Sequence, residues 1–108
     1  MSEFRHGNTV RECPVELVFA LVGQRWKVRI LMELSRGTLR FGALRGALPG
    51  ISDKVLSHCL KELEADGLVT RAVFAEVPAR VEYSITGTGA ALWGALQPVR
   101  RWGEKRKV

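Results

Sequence analysis

Residues 40–86 decide the fold, and the part from 40 to 69 reads RFGALRGALPGISDKVLSHCLKELEADGLV. A short helix with apolar residues at positions 41, 44 and 48 ends at Pro49-Gly50. Ser52 is a favourable N-cap for a longer helix, which stops at Asp66-Gly67. Two alternating strands follow directly. The order of helix, tight turn, helix and two-stranded ribbon predicts a winged helix-turn-helix, a module that places one helix in a DNA groove.

The rest of the chain completes a single domain over residues 1–108, with an α+β fold that is mostly α. The other predicted elements are a flexible arm at 1–12, a helix between Pro14 and Gly23, a helix at 25–35, a brief strand at 38–39, strands at 68–75 and 81–85 joined by a turn at 76–79, and a final helix at 86–107. Pro98 should kink the final helix, because proline removes a backbone hydrogen bond and clashes with the preceding turn.

Length and charge limit the classes of function. A chain of 108 residues buries roughly 65% of its unfolded surface, which allows one modest core. No apolar run approaches the roughly 18 residues of a membrane span, and residues 1–7 do not resemble a signal peptide. We therefore expect a cytoplasmic protein without a membrane partner. The net charge of +6 suggests an anionic partner, and residues 36–61 concentrate basic side chains where the module would approach phosphates.

The candidate DNA-binding residues are short or basic hydrogen-bonding side chains. On the outer face of the helix that Ser52 caps, they are Ser52, Lys54, Ser57, His58 and Lys61. Arg40 and Arg45 flank the preceding helix and suit phosphate contacts, which position a protein without reading sequence. Arg80 follows the turn between the strands and suits insertion into a minor groove. The alternative for each residue is an ordinary solvated side chain.

The final helix carries more large apolar side chains than one face of a small core can cover. They are Leu92, Trp93, Leu96, Val99 and Trp102. The simplest interpretation is a two-fold dimer, in which the recognition helices lie about one DNA turn, roughly 34 Å, apart. The alternative is that the tryptophans close the core of the monomer.

The two cysteines have different predicted roles. Cys13 precedes Pro14 at the start of the first helix, where the positive helix end favours a reactive thiolate. It is either an oxidant-sensing thiol or a small buried apolar residue. Cys59 shares an apolar helix face with Leu56 and Leu60, so we expect it in the core.

Catalytic and metal-binding motifs are absent from the sequence. Gly87-Thr88-Gly89 follows a strand, as a dinucleotide-binding loop does, but Leu92 occupies the third glycine position and no second parallel strand can follow. Neither histidine has a catalytic constellation around it. The cysteines and histidines lack zinc-site spacing. We expect no enzymatic activity, no metal and no cofactor.

Several motifs occur in order along residues 13–103. They are Cys13-Pro14-Val15, Gly23-x-x-Trp26-Lys27, Arg40-Phe41, Leu48-Pro49-Gly50-Ile51-Ser52, Leu60-x-x-Leu63-Glu64-x-Asp66-Gly67-Leu68-Val69, Val77-Pro78-x-Arg80-Val81-Glu82-Tyr83 and Trp102-Gly103. Through them the chain resembles the HxlR-type winged helix-turn-helix regulators. Two features depart from the family pattern: a glycine after Thr86, which costs on the order of 1 kcal/mol relative to alanine, and the position of Pro98.

The resemblance implies a bacterial homodimer that binds a palindromic operator and dimerises through its first and last helices, which adds Val15 and Phe19 to the interface. It also implies that residues 52–66 read the major groove and that residues 76–80 form a wing near the minor groove. In some members a cysteine at the position of Cys13 senses electrophiles or oxidants. We therefore expect a DNA-binding transcriptional regulator, controlled through Cys13 or by a small-molecule inducer. The alternative is a winged-helix protein-interaction module that does not bind DNA.

Overall fold

The computed structural model describes residues 2–108. Its elements, in chain order, are β1 (Phe4–His6), β2 (Thr9–Arg11), α1 (Pro14–Val22), α2 (Arg25–Ser35), β3 (Leu39–Arg40), α3 (Phe41–Ala47), α4 (Asp53–Ala65), β4 (Val69–Phe74), β5 (Arg80–Ile85), α5 (Gly87–Ala95) and α6 (Gln97–Glu104). About half of the chain is helical, and the predicted α+β fold is confirmed. Within the described residues, no helix combines the length and the apolarity that crossing a bilayer requires.

The core forms where α4 packs against α2. The buried side chains of α4 are Leu56, Cys59, Leu60 and Leu63, and those of α2 include Ile30, Leu31 and Leu34. Val55, an apolar residue beside the buried stripe of α4, is 39% exposed. At 100° per residue, Val55 lies about 90° around the helix from the centre of the stripe, so it falls at the edge of the contact.

The wing belongs to a three-stranded antiparallel sheet in the order β3-β5-β4. Leu39 lies opposite Tyr83 across one strand pair, while Val69 lies opposite Ile85 across the other. The buried Val69 packs in the core beside Leu68. The sheet is therefore anchored next to the end of α4, and its far end projects as the wing.

We expected a flexible arm over residues 1–12, but residues 4–11 form a β-hairpin, and residue 1 lies outside the described residues. His6 pairs with Thr9, and Gly7 between them has a φ of 58°, as in a two-residue type II′ turn. The hydroxyl of Thr9 donates to the carboxylate of Asp66 over 3.0 Å, which ties the hairpin to the end of α4. The Gly7-Asn8 pair was a turn signal, but the strands beside it were too short to show alternation.

The final helix is divided in two instead of being a single kinked helix over residues 86–107. The break lies at Leu96, and Pro98 occupies the first turn of α6, where its missing N–H is not needed. The side-chain amide of Gln97 donates to the Trp93 carbonyl over 2.9 Å, and this satisfies an acceptor at the end of α5.

The start of α5 explains one of the two glycines that follow Thr86. The Thr86 hydroxyl accepts from the Gly89 N–H over 2.9 Å and lies 2.7 Å from the Gly67 carbonyl, to which it donates. A Cβ at Gly89 would lie 2.3 Å from the Leu68 carbonyl oxygen, whereas a Cβ at Gly87 would meet no atom within 4 Å. Close packing of α5 on the end of α4 therefore requires glycine at 89 and not at 87.

These two glycines make a matched pair of variants. Gly87→Ala should raise the free energy of unfolding by about 0.4–1 kcal/mol, because alanine reduces the freedom of the unfolded chain at no steric cost. Gly89→Ala should lower it by about 1–3 kcal/mol, because the added methyl forces α5 away from Leu68. Urea unfolding followed by circular dichroism would measure both changes. Equal effects at the two positions would contradict this account of the packing.

Candidate nucleic-acid interface

The outward face of α4 presents the side chains that the sequence predicted for groove reading. Lys54, His58 and Lys61 are exposed, and Ser57 is half-buried. Within residues 2–108, no carboxylate lies within 4 Å of the Lys54 or Lys61 ammonium. Because α4 buries the opposite stripe in the core, it holds two unpaired cations toward solvent.

Two of the predicted residues, Ser52 and Arg45, have partners at the start of α4. The hydroxyl of Ser52 accepts from the Val55 N–H over 3.1 Å, so it caps α4. Arg45 donates to both carboxylate oxygens of Asp53, at 3.0 and 3.2 Å, and joins α3 to the first turn of α4. Arg40 is exposed at the start of α3. Arg40 and Arg45 therefore lie at the start and in the last turn of α3, and Arg45 has an internal partner.

A buried lysine, which sequence reasoning did not single out, holds the inner side of α4. Lys27 is 2% exposed, and its Nζ lies 3.2 Å from Oε1 of Glu62. The Nε2 of His58 lies 2.9 Å from the same oxygen and forms an ion pair with it when the imidazole is protonated. Neither contact has hydrogen-bond geometry at that oxygen, so the attraction is Coulombic. Glu62 thus links α2, the core side of α4 and its outer face.

Arg80 lies at the first position of β5 and is held by three neighbours. Its guanidinium lies 3.5 Å from the carboxylates of Glu76 and Glu82 and stacks 4.0 Å above the ring of Phe74. The exposed apolar residue of the wing tip is Val77. Arg80 is therefore at the base of the wing, and its charge is partly neutralised there.

The sequence analysis missed a cleft between α4 and the sheet. It has a volume of about 510 Å³ and is lined by Ser57, Leu60, Lys61, Glu64, Arg71 and Tyr83. Arg71 lies directly opposite Tyr83 on paired strands, and both lie two residues from the Val69–Ile85 pair. Since alternate strand residues share a face, the buried Val69 was the signal that places Arg71 toward α4.

The predicted dimer residues divide into two groups. Leu92 and Leu96 pack against the core of their own chain, and Trp93 is half-buried. The other four remain exposed, with accessible fractions of 58–64%; they are Val15, Phe19, Val99 and Trp102. Trp102 therefore does not close the core of the monomer, as the alternative interpretation required.

The two cysteines differ in environment as expected. Both thiols are free; Cys59 is 3% exposed within the core, and Cys13 is partly exposed at the start of α1. Burial raises the pKa of the Cys59 thiol, while Lys27 acts against this shift. Cys59 is therefore protonated and shielded at neutral pH.

This difference predicts selective labelling. At neutral pH a maleimide should modify Cys13 in the folded protein and leave Cys59 unmodified, because only Cys13 is accessible and the raised pKa of Cys59 suppresses its thiolate. Mass spectrometry would show one adduct per folded chain and two in denaturant. The variant Cys13→Ser should show none when folded, and rapid labelling of Cys59 there would contradict its burial.

The Lys27–Glu62 pair predicts an asymmetric response to substitution. Glu62→Gln should destabilise the fold by about 1–3 kcal/mol, because it leaves a buried ammonium without its counter-charge. Lys27→Met should be close to neutral, since it replaces the ammonium with an apolar group of similar length. Urea unfolding would compare them, and adding Lys27→Met to Glu62→Gln should restore most of the loss. Equal losses from both single variants would show that the charge of Lys27 is itself required.

Known proteins share this architecture. A family model described as HxlR-like helix-turn-helix matches residues 21–107. YdzF of Bacillus subtilis (strain 168), an uncharacterised HTH-type transcriptional regulator, is 40% identical over 94 residues, which cover 86% of each chain. The redox regulator HypR in its oxidised form has a TM-score of 0.82 and 38% identity, covering 89% of this chain and 99% of its own.

The transcriptional regulator YodB from B. subtilis, in its reduced form, has a TM-score of 0.78 and 37% identity, covering 89% of this chain and 95% of its own. These relatives are transcriptional regulators and not enzymes. The predicted winged helix-turn-helix and the resemblance carried by the sequence motifs are both confirmed. The chain belongs to the HxlR-like helix-turn-helix family of transcriptional regulators.

Proposed function

We propose that this regulator is a cytoplasmic homodimer that binds palindromic operator DNA. In this proposal α4 enters the major groove and the wing, residues 76–80, lies near the minor groove. The observation that carries it is the outward face of α4, where Lys54 and Lys61 are exposed and, among residues 2–108, no carboxylate lies within 4 Å of either ammonium. The width of the major groove admits a helix, and lysines reach guanine acceptors or phosphates there.

Each predicted residue then has a role that its contacts support. Lys54, Ser57, His58 and Lys61 face the groove, and Arg40 contacts a phosphate. Three other residues act through their positions: Ser52 fixes the start of α4, Arg45 exchanges its pair with Asp53 for a phosphate, and Arg80 shapes the base of the wing.

The exposed apolar side chains of α1 and α6 support the homodimer. Val15, Phe19, Val99 and Trp102 each leave more than half of their surface exposed, and covering such side chains contributes up to about 1.5–3 kcal/mol apiece. A second copy is the simplest cover, because a two-fold axis brings the same patch from both chains together and spaces the recognition helices for adjacent half-sites.

The signal that we propose is thiol chemistry at Cys13, with a small-molecule inducer as the second possibility. Cys13 is partly exposed and lies two residues before Val15, at the edge of the proposed dimer patch. HypR, a redox regulator by its description, has been solved in oxidised and reduced forms. Modification of Cys13 would alter the packing of α1 and so change the spacing of the two recognition helices.

A fluorescence-anisotropy titration tests this function. The full-length protein, reduced, should bind DNA from upstream of its own gene more tightly than a shuffled duplex, with affinity that falls steeply as salt rises. Lys54→Ala should weaken binding to the operator by about 1–3 kcal/mol if the lysine contacts a base, since the contact is then sequence-specific. A mild thiol oxidant should lower the affinity.

The variant Cys13→Ser is the control for the signal. Oxidant should leave its DNA affinity unchanged, while sedimentation should still show a dimer. Loss of binding in both proteins on oxidation would exclude Cys13 as the sensor. Binding indifferent to oxidant in both would favour a small-molecule inducer. Equal, weak binding of both duplexes, with a measurable affinity for a protein partner, would favour the protein-interaction module.

A further inference from the structure

The cleft between α4 and the sheet contains four hydrogen-bond donors with no internal partner. They are the hydroxyls of Ser57 and Tyr83, the ammonium of Lys61 and the guanidinium of Arg71. Within residues 2–108, none of these groups takes part in a side-chain hydrogen bond or an ion pair. The floor of the cleft is the buried Leu60. Donors of this kind, on a rigid helix and a rigid sheet, match the acceptor oxygens of a phosphate.

The charge of the cleft also favours an anion. Lys61 and Arg71 contribute two positive charges, and the carboxylate of Glu64, which also lines the cleft, contributes one negative charge. Glu64 lies beyond 4 Å from either cation, since neither pair is among the ion pairs within residues 2–108. The cations are therefore available to an outside ligand, and Glu64 should weaken that ligand's binding.

The position of the cleft indicates which anion would occupy it. A protein whose helix lies in the major groove and whose wing lies by the next minor groove must straddle the sugar-phosphate strand that separates the two grooves. In this chain the cleft lies between that helix, α4, and the strands β4 and β5 of the wing. Ser57 and Lys61 belong to both the groove-facing surface and the cleft, so the two surfaces are continuous.

We propose that this cleft holds a backbone phosphate of the bound DNA, with Arg71 and Tyr83 on the sheet and Ser57 and Lys61 on α4 as its donors. The proposal rests on the proposed function and adds two contacts from the sheet to it. Arg71 suits the role because its planar guanidinium can donate two parallel hydrogen bonds to one phosphate. A volume of about 510 Å³ leaves room for the phosphodiester and a flanking sugar.

Salt-dependent DNA binding by single variants tests the site. Each phosphate contact contributes about 0.9 to the slope of log affinity against log salt, so each makes Kd rise about 3.5-fold between 50 and 200 mM salt. Arg71→Ala and Lys61→Ala should each reduce the slope by about 0.9. Arg71→Ala should weaken binding to the operator duplex and to a shuffled duplex by the same factor, because a phosphate carries no sequence information.

Two conservative variants, Tyr83→Phe and Glu64→Gln, test the site with changes too small to unfold the protein. Tyr83→Phe removes one hydroxyl and should weaken both duplexes equally while leaving the slope unchanged, because no charge is lost. Glu64→Gln should act in the opposite direction and tighten binding to both duplexes. Lys107→Ala, in the exposed C-terminal segment, removes one positive charge outside the cleft and controls for net charge. Melting temperatures would confirm that the variants are folded.

The outcomes separate this site from the function as a whole. A slope for Arg71→Ala equal to that of Lys107→Ala, with binding still weakened by Lys54→Ala, would overturn the phosphate site and leave DNA binding intact. An unchanged or weaker affinity in Glu64→Gln would also overturn it. If the unaltered protein shows no salt-dependent binding to either duplex, the proposed function itself fails, and the phosphate site with it.

Discussion

The burial of one stripe of α4 against α2 is the constraint on which the rest of the structure depends. Four side chains of the stripe, each contributing about 1.5–3 kcal/mol when fully buried, fix the rotation of the helix about its axis. A rotation of one residue would turn Leu60 or Leu63 toward solvent and would turn a charged residue, Glu62 or Glu64, toward the core. The core of α4 therefore determines which side chains the helix presents to solvent, and to DNA in the proposed complex. Lys27 reinforces the same rotation, since its ammonium is buried beside Glu62.

The C-terminal end of α4 is where the remaining elements meet. The N-terminal hairpin reaches it through Thr9 and Asp66, and α5 reaches it through Thr86 and the Gly67 carbonyl. The first contact lies just before α1 in the chain, and the second lies at the start of α5, which leads into α6. Both α1 and α6 carry exposed apolar side chains. A change in how two copies pack would therefore act on the same end of the recognition helix from two sides. These contacts form a physical route from the proposed interface to α4.

The helix-turn-helix and wing, residues 40–86, could be predicted because capping residues and turn residues within the segment set the ends of its helices and strands. Ser52 caps α4 in the structure as its position suggested, and the predicted bounds of α2 match Arg25–Ser35. The hairpin at the N-terminus was missed because its stability comes from contacts with Asp66, which is distant in sequence. Arg71 was missed for a related reason: its side chain is exposed, and only the packing of the sheet beside α4 brings it to the cleft. Tertiary contacts decided both cases.

The sequence also does not reveal which arginines have internal partners, and these partners distinguish Arg45 from Arg80. Sequence counts every arginine equally, but Arg45 and Arg80 have internal carboxylates. An exposed pair such as Arg45–Asp53 contributes only about 0–1 kcal/mol. A phosphate can therefore displace Asp53 from Arg45 at little cost. Arg80 would have to leave two carboxylates and the face of Phe74, so it is better suited to holding the wing than to entering a groove.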